Sequence, residues 1–316
     1  MSNNEECSLQ LVEGLVLIVI NVLLVVIGTF GNVLTILAVL KTPQLRQRPS
    51  NFLLLSLAVA DVLVTTISQP FTVAIFYLKT FPGQCNSVLE LLYTISVSLP
   101  GCSSVFHLSA ISIDRAISMV KPFQHRDIIA KWLKRILGTC WAISVAFTIF
   151  NSLWFQEGRK AISVIFFACF LTMAISYGII LYKIKYNNNI QSTQDNGGAR
   201  DRIIEKRVSC TVAIVILLYL GCWLPLVGYT LLQNTDAVLY AGVRTLYLAN
   251  SSMNFVVYSL RIRAFRVAYL RLMRKMQRQI AGGLYCCGGI GDATSESHGT
   301  TEFELNENTG GHSVNS

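Results

Sequence analysis

The stretch LSLAVADVLV, residues 55–64, places one carboxylate, Asp61, inside an otherwise apolar run. Asp61 is the only charged side chain between Pro49 and Leu78, and this segment is long enough to cross a bilayer as a helix. A charge at the centre of a membrane-spanning helix costs ~2.5–3.5 kcal/mol on insertion scales. We therefore expect Asp61 to be retained for a function rather than for stability.

The composition of the whole chain is that of a membrane protein. Of its 316 residues 53% are hydrophobic and 14% are charged, with a mean hydropathy of +0.51, whereas soluble domains carry ~25% charged residues. Six further apolar runs accompany the run at 49–78, at residues 14–40, 91–113, 136–156, 161–182, 208–235 and 245–260. Joined by short polar segments, these runs predict an all-α membrane protein, a seven-transmembrane helix bundle.

The distribution of basic residues predicts the topology. With the N-terminus outside the cell, 22 of the 26 Lys and Arg residues lie on the cytoplasmic side, as the positive-inside rule requires. The net charge of +9 is therefore a topology signal, and we expect no nucleic-acid partner. The predicted organisation is a short extracellular N-terminus (1–13), the seven-transmembrane bundle (14–260), a cytoplasmic amphipathic eighth helix (261–280) and a disordered cytoplasmic tail (281–316).

Several uncharged polar residues lie at about the same depth in their helices as Asp61. They are Asn32, Ser104, Asn250, Ser251 and Asn254. Polar groups in a bilayer face the bundle interior and need partners. A carboxylate surrounded by hydroxyl and amide oxygens suits a hard cation, and the alternative is a helix-to-helix hydrogen-bond network without an ion.

Six short motifs, each on a different span, occur in order along the chain. They are GNVL with Asn32, LAVAD with Asp61, SIDRA with Asp114 and Arg115, Trp141 in the fourth span, CWLP with Trp223 and Pro225, and NFVVY with Asn254 and Tyr258. Through this set the chain resembles the class A, rhodopsin-like, G-protein-coupled receptors over all seven spans. The resemblance implies a plasma-membrane receptor, not an enzyme, that binds an extracellular ligand and activates heterotrimeric G proteins when the sixth helix moves outward.

The family resemblance also implies two internal sites. The first is an allosteric sodium site formed by Asp61, Ser104, Asn250, Ser251 and Asn254. The second is the G-protein switch, formed by Asp114, Arg115, Glu205, Asn254 and Tyr258. Glu205 lies 18 residues before Trp223, and the family pattern places a residue at this position opposite Arg115. Glu205 and Arg115 would then form a lock between the third and sixth helices. The alternative is that Glu205 is a solvated charge.

The chain departs from the family pattern at several positions. DRY becomes DRA with Ala116, NPxxY becomes NFVVY with Phe255, and Glu90 stands where the usual cysteine of the third helix is expected. The fifth span contains no proline and the loop before it is short, which is similar to the melanocortin branch. Because Ala116 and Phe255 change two motifs of the switch, a non-signalling or constitutively active relative is an alternative interpretation. A transporter or channel is a more distant alternative.

The ligand pocket is expected in the outer half of the bundle. Amine receptors of the family carry an aspartate where this chain has Val97, and retinal proteins carry a lysine that residues 237–260 lack. The candidate pocket residues are Glu90, Tyr93, Thr94, Val97, Ser98, Trp223, Tyr240, Arg244 and Tyr247. Arg244 is a candidate partner for a ligand carboxylate or phosphate, or else it extends to the lipid headgroups.

The remaining predictions concern modification and partners. Cys7 and Cys85 are either bridged or unpaired, and Cys286 and Cys287 are either palmitoylated or unmodified. The basic eighth helix is expected to bind anionic membrane lipids. Phosphorylation of the Ser- and Thr-rich tail by a receptor kinase would create an arrestin site. His107 and His125 have no nucleophile as a partner in the sequence pattern, so we expect no catalytic site.

Overall fold

The computed structural model of this protein describes residues 8–153, 155–190, 199–232 and 236–287. Within these residues the secondary structure is helical and no strand occurs. The helices are α1 (Leu11–Lys41), α2 (Pro43–Arg46), α3 (Asn51–Leu63), a π-helical turn (Val64–Ser68), α4 (Gln69–Thr80), α5 (Ser87–Val120), α6 (Pro122–Leu153), α7 (Phe155–Ile190), α8 (Ala199–Leu231), α9 (Ala237–Arg261) and α10 (Arg263–Cys287).

Five segments of the described chain are long and apolar enough to cross a membrane. They are Leu11–Lys41, Asn51–Thr80, Ser87–Val120, Pro122–Leu153 and Val164–Lys185. α8 adds the shorter apolar stretch Ala213–Tyr229, and α9 follows with the polar residues of the predicted ion site. The helices α1, α3 with α4, α5, α6, α7, α8 and α9 correspond to the seven predicted spans. The chain divides into two units, Met1–Met273 and Arg274–Ser316, and these seven helices lie in the first.

Several helices extend beyond the apolar runs that predicted them. The predicted joint at 121–135 is part of α6, which begins at Pro122, and the predicted loop QEGRK at 156–160 is part of α7. The predicted boundary between the eighth helix and the tail, at residue 280, differs from the end of α10 at Cys287. Charged residues end an apolar run without ending a helix, because Lys, Arg, Glu and Gln are good helix formers.

Two apolar clusters hold the bundle together. The larger includes the buried residues Leu34, Leu53, Leu57, Val105, Leu108, Tyr219, Val257 and Tyr258. The smaller includes Phe76, Tyr93, Ala241 and Leu248. Between α3 and α4 the π-helical turn ends two residues before Pro70, and such turns inside a helix commonly accompany functional sites.

α1 approaches α9 closely because it carries glycines at the contact. A Cβ atom at Gly28 would lie 2.4 Å from the Ser252 hydroxyl, and one at Gly31 would lie 2.4 Å from the Phe255 ring. Phe255, which stands where the family has proline, packs against Tyr269 with ring centroids 5.1 Å apart. The departure at Phe255 therefore leaves α9 as one continuous helix and fills the space beside Gly31.

Candidate functional site

Asp61 is fully buried in the centre of the bundle and is held by polar side chains of other helices. Asn254 Nδ2 donates to Asp61 Oδ2 over 2.7 Å, and the Ser104 hydroxyl lies 3.5 Å from Oδ1. The Ser251 side chain is a further polar neighbour of the carboxylate. Asn32 fixes this helix contact, since its Nδ2 donates to the Ser251 carbonyl over 2.7 Å. The structure thus brings the predicted polar residues of α3, α5 and α9 together.

A small cavity lies beside this polar cluster. It is lined by Val64, Val97, Gly101, Ser104, Tyr219, Trp223, Tyr247, Leu248, Asn250 and Ser251. Of the predicted pocket residues, Val97, Trp223 and Tyr247 line it together with three predicted ion-site residues. The wall is therefore polar on the side of Asn250 and Ser251 and aromatic on the side of Trp223.

Trp223 is the centre of an aromatic group around the cavity. Its ring centroid lies 5.6 Å from that of Tyr219, 5.3 Å from Tyr247 and 4.9 Å from Phe166. Sequence reasoning missed Tyr219 and Phe166. The signal for Tyr219 was its position four residues before Trp223, which places both rings on one face of α8.

The donor set around Asp61 fits a monovalent hard cation better than a transition metal. It contains one carboxylate with hydroxyl and amide groups, and among the described residues no group of three or more His, Cys, Asp or Glu side chains could hold a metal ion. Oxygen ligands are those that hard cations prefer. In the present arrangement Asn254 and Ser104 direct hydrogens to Asp61, so a hydrogen-bond network without an ion also accounts for the contacts.

The cytoplasmic end of α5 holds Asp114 in a network drawn from three segments. Arg115 is ion-paired with Asp114, with Arg115 Nε 2.7 Å from Oδ2. Oδ1 accepts from the Ser50 hydroxyl and contacts His125 Nε2, each over 2.8 Å. Sequence reasoning missed Ser50 and His125, because one precedes α3 and the other lies in a segment expected to be a loop.

The other predicted switch residues are placed only in part. Tyr258 is buried, and its ring centroid lies 5.8 Å from that of Phe265, while Asn254 belongs to the Asp61 cluster rather than to the Asp114 network. Glu205 lies within the helical backbone of α8, but its side chain is outside the described residues. The predicted lock between Arg115 and Glu205 stays a prediction.

A charged cluster occupies the outer part of the bundle. Arg244 is only 1% exposed, and its Nη1 donates to Glu90 Oε2 over 2.9 Å. Its guanidinium carbon lies 3.4 Å from the centroid of the Tyr93 ring, and Lys79 Nζ lies 3.5 Å from Glu90 Oε1. The interpretation that Arg244 extends to the lipid headgroups is wrong, because Glu90 and Tyr93 enclose it within the protein.

Three further predicted pocket residues do not line the cavity. The Thr94 hydroxyl donates to the Glu90 carbonyl over 2.8 Å, and the Ser98 hydroxyl donates to the Thr94 carbonyl over 2.6 Å. Both hydroxyls are therefore engaged by their own helix. Tyr240 packs on Tyr229 with ring centroids 5.3 Å apart.

The structure describes six of the nine cysteine side chains. Cys85 is disulfide-bonded, whereas Cys102, Cys140, Cys169, Cys210 and Cys222 are free. The partner of Cys85 therefore lies outside the residues that the structure describes, as does Cys7. The side chains of Cys286 and Cys287, and the tail residues proposed for phosphorylation, are also outside them.

Comparisons with known proteins agree with this architecture. Residues 31–161 match the model of the 7 transmembrane receptor (rhodopsin family). The chain is 26% identical to the adenosine receptor A2a of Equus caballus (95% of this chain, 82% of the relative). It is 22% identical to the neuromedin-U receptor 2 of Homo sapiens (83% and 72%) and 28% identical to the trace amine-associated receptor 9 of Mus musculus (77% and 80%).

The chain is thus similar to the rhodopsin family of 7 transmembrane receptors over residues 31–161, and to individual receptors over most of its length. The predicted seven-helix fold is confirmed, and the relatives are signalling receptors rather than enzymes. The chain is accordingly a multi-pass membrane protein.

Proposed function

We propose that this protein is a plasma-membrane receptor that binds an extracellular ligand and activates a heterotrimeric G protein through outward movement of α8. The observation that carries the proposal is the position of Trp223. Its ring lines the cavity beside Asn250 and Ser251, and it stacks on Tyr219 of the same helix. A ligand that displaces Trp223 would therefore act on α8 directly, and Pro225 inside α8 supplies a pivot because it lacks a backbone N–H.

The first test measures signalling without a ligand and concerns Glu205. If Glu205 pairs with Arg115 in the inactive state, Glu205→Ala should raise basal G-protein activation, since a change of ~1.4 kcal/mol shifts the ratio of two states tenfold. Asp201→Ala, an acidic residue one turn earlier in α8, is the matched control. Equal basal activity of the wild type and both variants at equal surface expression would contradict the lock.

The same assay distinguishes the alternative reading of the chain. Ala116 and Phe255 alter two switch motifs, which favours a non-signalling or constitutively active relative as the second candidate. High basal activity of the wild type that Glu205→Ala leaves unchanged would support a constitutively active protein. Absence of activation in every variant, with normal surface expression, would support a non-signalling one.

The proposal includes an allosteric sodium ion at Asp61. Bound there, the ion would supply a positive charge opposite the only carboxylate of the described cluster, with Ser104, Asn250, Ser251 and Asn254 as the neighbouring polar groups. The Ser104 hydroxyl, 3.5 Å from Asp61, is farther away than the ~2.7–2.8 Å of a normal O–H···O bond. This spacing favours an indirect contact, in which Ser104 and Asp61 both bind a third group between them.

The sodium proposal is tested by thermal unfolding of the purified receptor in NaCl and in an equal concentration of N-methylglucamine chloride. A ligand that binds only the folded state stabilises it, so sodium should raise the melting temperature of the wild type. Asp61→Asn keeps the shape of the side chain and should remove this difference. Equal melting temperatures of the wild type in the two salts would leave Asp61 as part of a hydrogen-bond network.

Topology and cytoplasmic partners complete the proposal. An extracellular N-terminus predicts that an N-terminal epitope tag is detected on intact cells, whereas a tag detected only after permeabilisation would reverse the orientation. Palmitoylation at Cys286 and Cys287, and recruitment of arrestin by a tail that a receptor kinase has phosphorylated, are proposed on the sequence alone. The resemblance to the melanocortin branch likewise stays a prediction.

A further inference from the structure

The guanidinium of Arg244 is buried with part of its hydrogen-bonding capacity unused. Nη1 donates to Glu90, but Nε and Nη2 find no hydrogen-bond partner among the described residues and are inaccessible to solvent. Burial of a charged donor without a partner is costly, more so than for a neutral group.

The two unused nitrogens form one edge of the guanidinium. Nε–H and the nearer N–H of Nη2 point in the same direction, and this pair matches the two oxygens of a carboxylate in a bidentate contact. Glu90 contacts Nη1 and leaves this edge free. The Tyr93 ring covers one face of the group at 3.4 Å and limits its rotation. The edge is therefore preorganised for a planar anion.

The charges of the cluster also favour an anion. Lys79 and Arg244 share the single carboxylate of Glu90, so this group of three carries one positive charge in excess. The Glu90 side chain is 32% exposed, whereas that of Arg244 is 1% exposed. Glu90 is thus the more exposed member of the ion pair, and Arg244 is the enclosed one.

Arg244 and Tyr93 are each one helical turn away from residues that line the cavity. On α9, Arg244 precedes the cavity residues Tyr247 and Leu248 by three and four positions, and on α5 Tyr93 precedes Val97 by four. Residues at these spacings lie on one helix face, one turn or ~5.4 Å apart. A ligand with an anionic group at Arg244 would therefore place its next atoms against Val97, Trp223 and Tyr247.

We propose that the receptor recognises a small organic carboxylate, whose carboxylate binds the Nε and Nη2 edge of Arg244 and whose apolar part extends from there towards Val97 and Tyr247. This inference rests on the proposed function as a ligand-activated receptor. Val97, where amine receptors have an aspartate, suits the apolar part of such a ligand. Glu90 acts as the internal competitor, because its charge opposes the arrival of a second carboxylate.

The test is thermal unfolding of the purified full-length receptor with benzoate as the probe and benzamide as its neutral isostere, at constant sodium concentration. Benzoate should raise the melting temperature of the wild type and benzamide should not. Arg244→Gln should weaken benzoate binding by at least ~tenfold, which corresponds to ~1.4 kcal/mol. Glu90→Gln should strengthen it, because the competing charge is removed while the side-chain shape is kept.

Lys79→Gln is the matched control, since it removes a cation of the same cluster without touching the free edge. It should keep most of the benzoate-specific shift. Glu90→Gln keeps the test decisive if Arg244→Gln does not fold. Equal effects of benzoate and benzamide on both the wild type and Glu90→Gln would overturn the proposal, and so would a larger shift with phenyl phosphate than with benzoate.

The readout requires no G protein, so the two proposals fail separately. A benzoate-specific shift in a receptor that activates no G protein would contradict only the signalling function. Basal G-protein activation without any benzoate-specific shift would contradict only the carboxylate site.

Discussion

Replacement of Gly31 by alanine tests the close contact between α1 and α9. The added Cβ would lie 2.4 Å from Phe255 Cγ and 2.5 Å from Cδ1, well inside the ~3.5–4.0 Å at which carbon atoms attract. Overpacking of this kind costs ~1–3 kcal/mol. It opposes the ~0.5–1 kcal/mol that a helix gains when an interior glycine becomes alanine.

Gly138→Ala in α6 is the matched control, because a Cβ atom there would meet nothing within 4 Å. The two variants share the gain in helix propensity, so the difference between them reports the contact with Phe255. One kcal/mol corresponds to ~2–4 °C in a domain of 150–250 residues. We expect Gly31→Ala to melt several degrees below Gly138→Ala when the purified receptors are heated in detergent.

A double-mutant cycle isolates the cause of this difference. Phe255→Ala removes the ring but keeps the Phe255 Cβ, which lies 2.7 Å from the added methyl group. Gly31→Ala should therefore lose only part of its penalty in that background, with a coupling energy of ~0.5–3 kcal/mol. Equal melting temperatures of Gly31→Ala and Gly138→Ala would refute the reasoning. The same holds for a penalty of Gly31→Ala that is equally large with and without the Phe255 ring.

Three further predictions concern the polar contacts. Ser50→Ala and His125→Ala each remove one contact that holds Asp114, the ion-pair partner of Arg115, against a neighbouring segment. Both should therefore raise basal G-protein activation by loosening the position of the Asp114–Arg115 pair, while the exposed control Ser152→Ala should not. Asn254→Ala removes the side chain that donates to Asp61 over 2.7 Å, so it should lower the free energy of unfolding by ~1–3 kcal/mol. The measurement is the melting temperature, and a value equal to that of the wild type would contradict this contact. Asp236 accepts hydrogen bonds from the backbone N–H groups of Val238 and Leu239, so Asp236→Ala should lower the free energy of unfolding by ~0.5–2 kcal/mol. Asp236→Asn keeps an acceptor oxygen and should unfold near the wild-type temperature. Equal losses of stability in the two variants would exclude a capping role.

The sequence by itself determined the membrane bundle and the residues at its centre. The length and the apolarity of a segment are local properties of the sequence. The run around Asp61 and the six other apolar runs therefore predict the spans without any knowledge of packing. Mid-span polar residues must face the interior, which is why Asp61, Ser104 and Asn254 were predicted together and were found in contact. Helix bounds were less predictable, because basic residues end an apolar run but continue a helix.

Only the tertiary structure decided which distant side chains meet. Glu90 and Arg244 are 154 residues apart, and their pairing depends on the rotation and tilt of two helices about their axes. Neither quantity can be read from hydropathy. The contact of His125 with Asp114 and that of Gly31 with Phe255 depend on the same variables. The unused edge of Arg244 exists because packing brought one carboxylate to two cations and left two buried guanidinium nitrogens without a partner in the part of the chain that the structure describes.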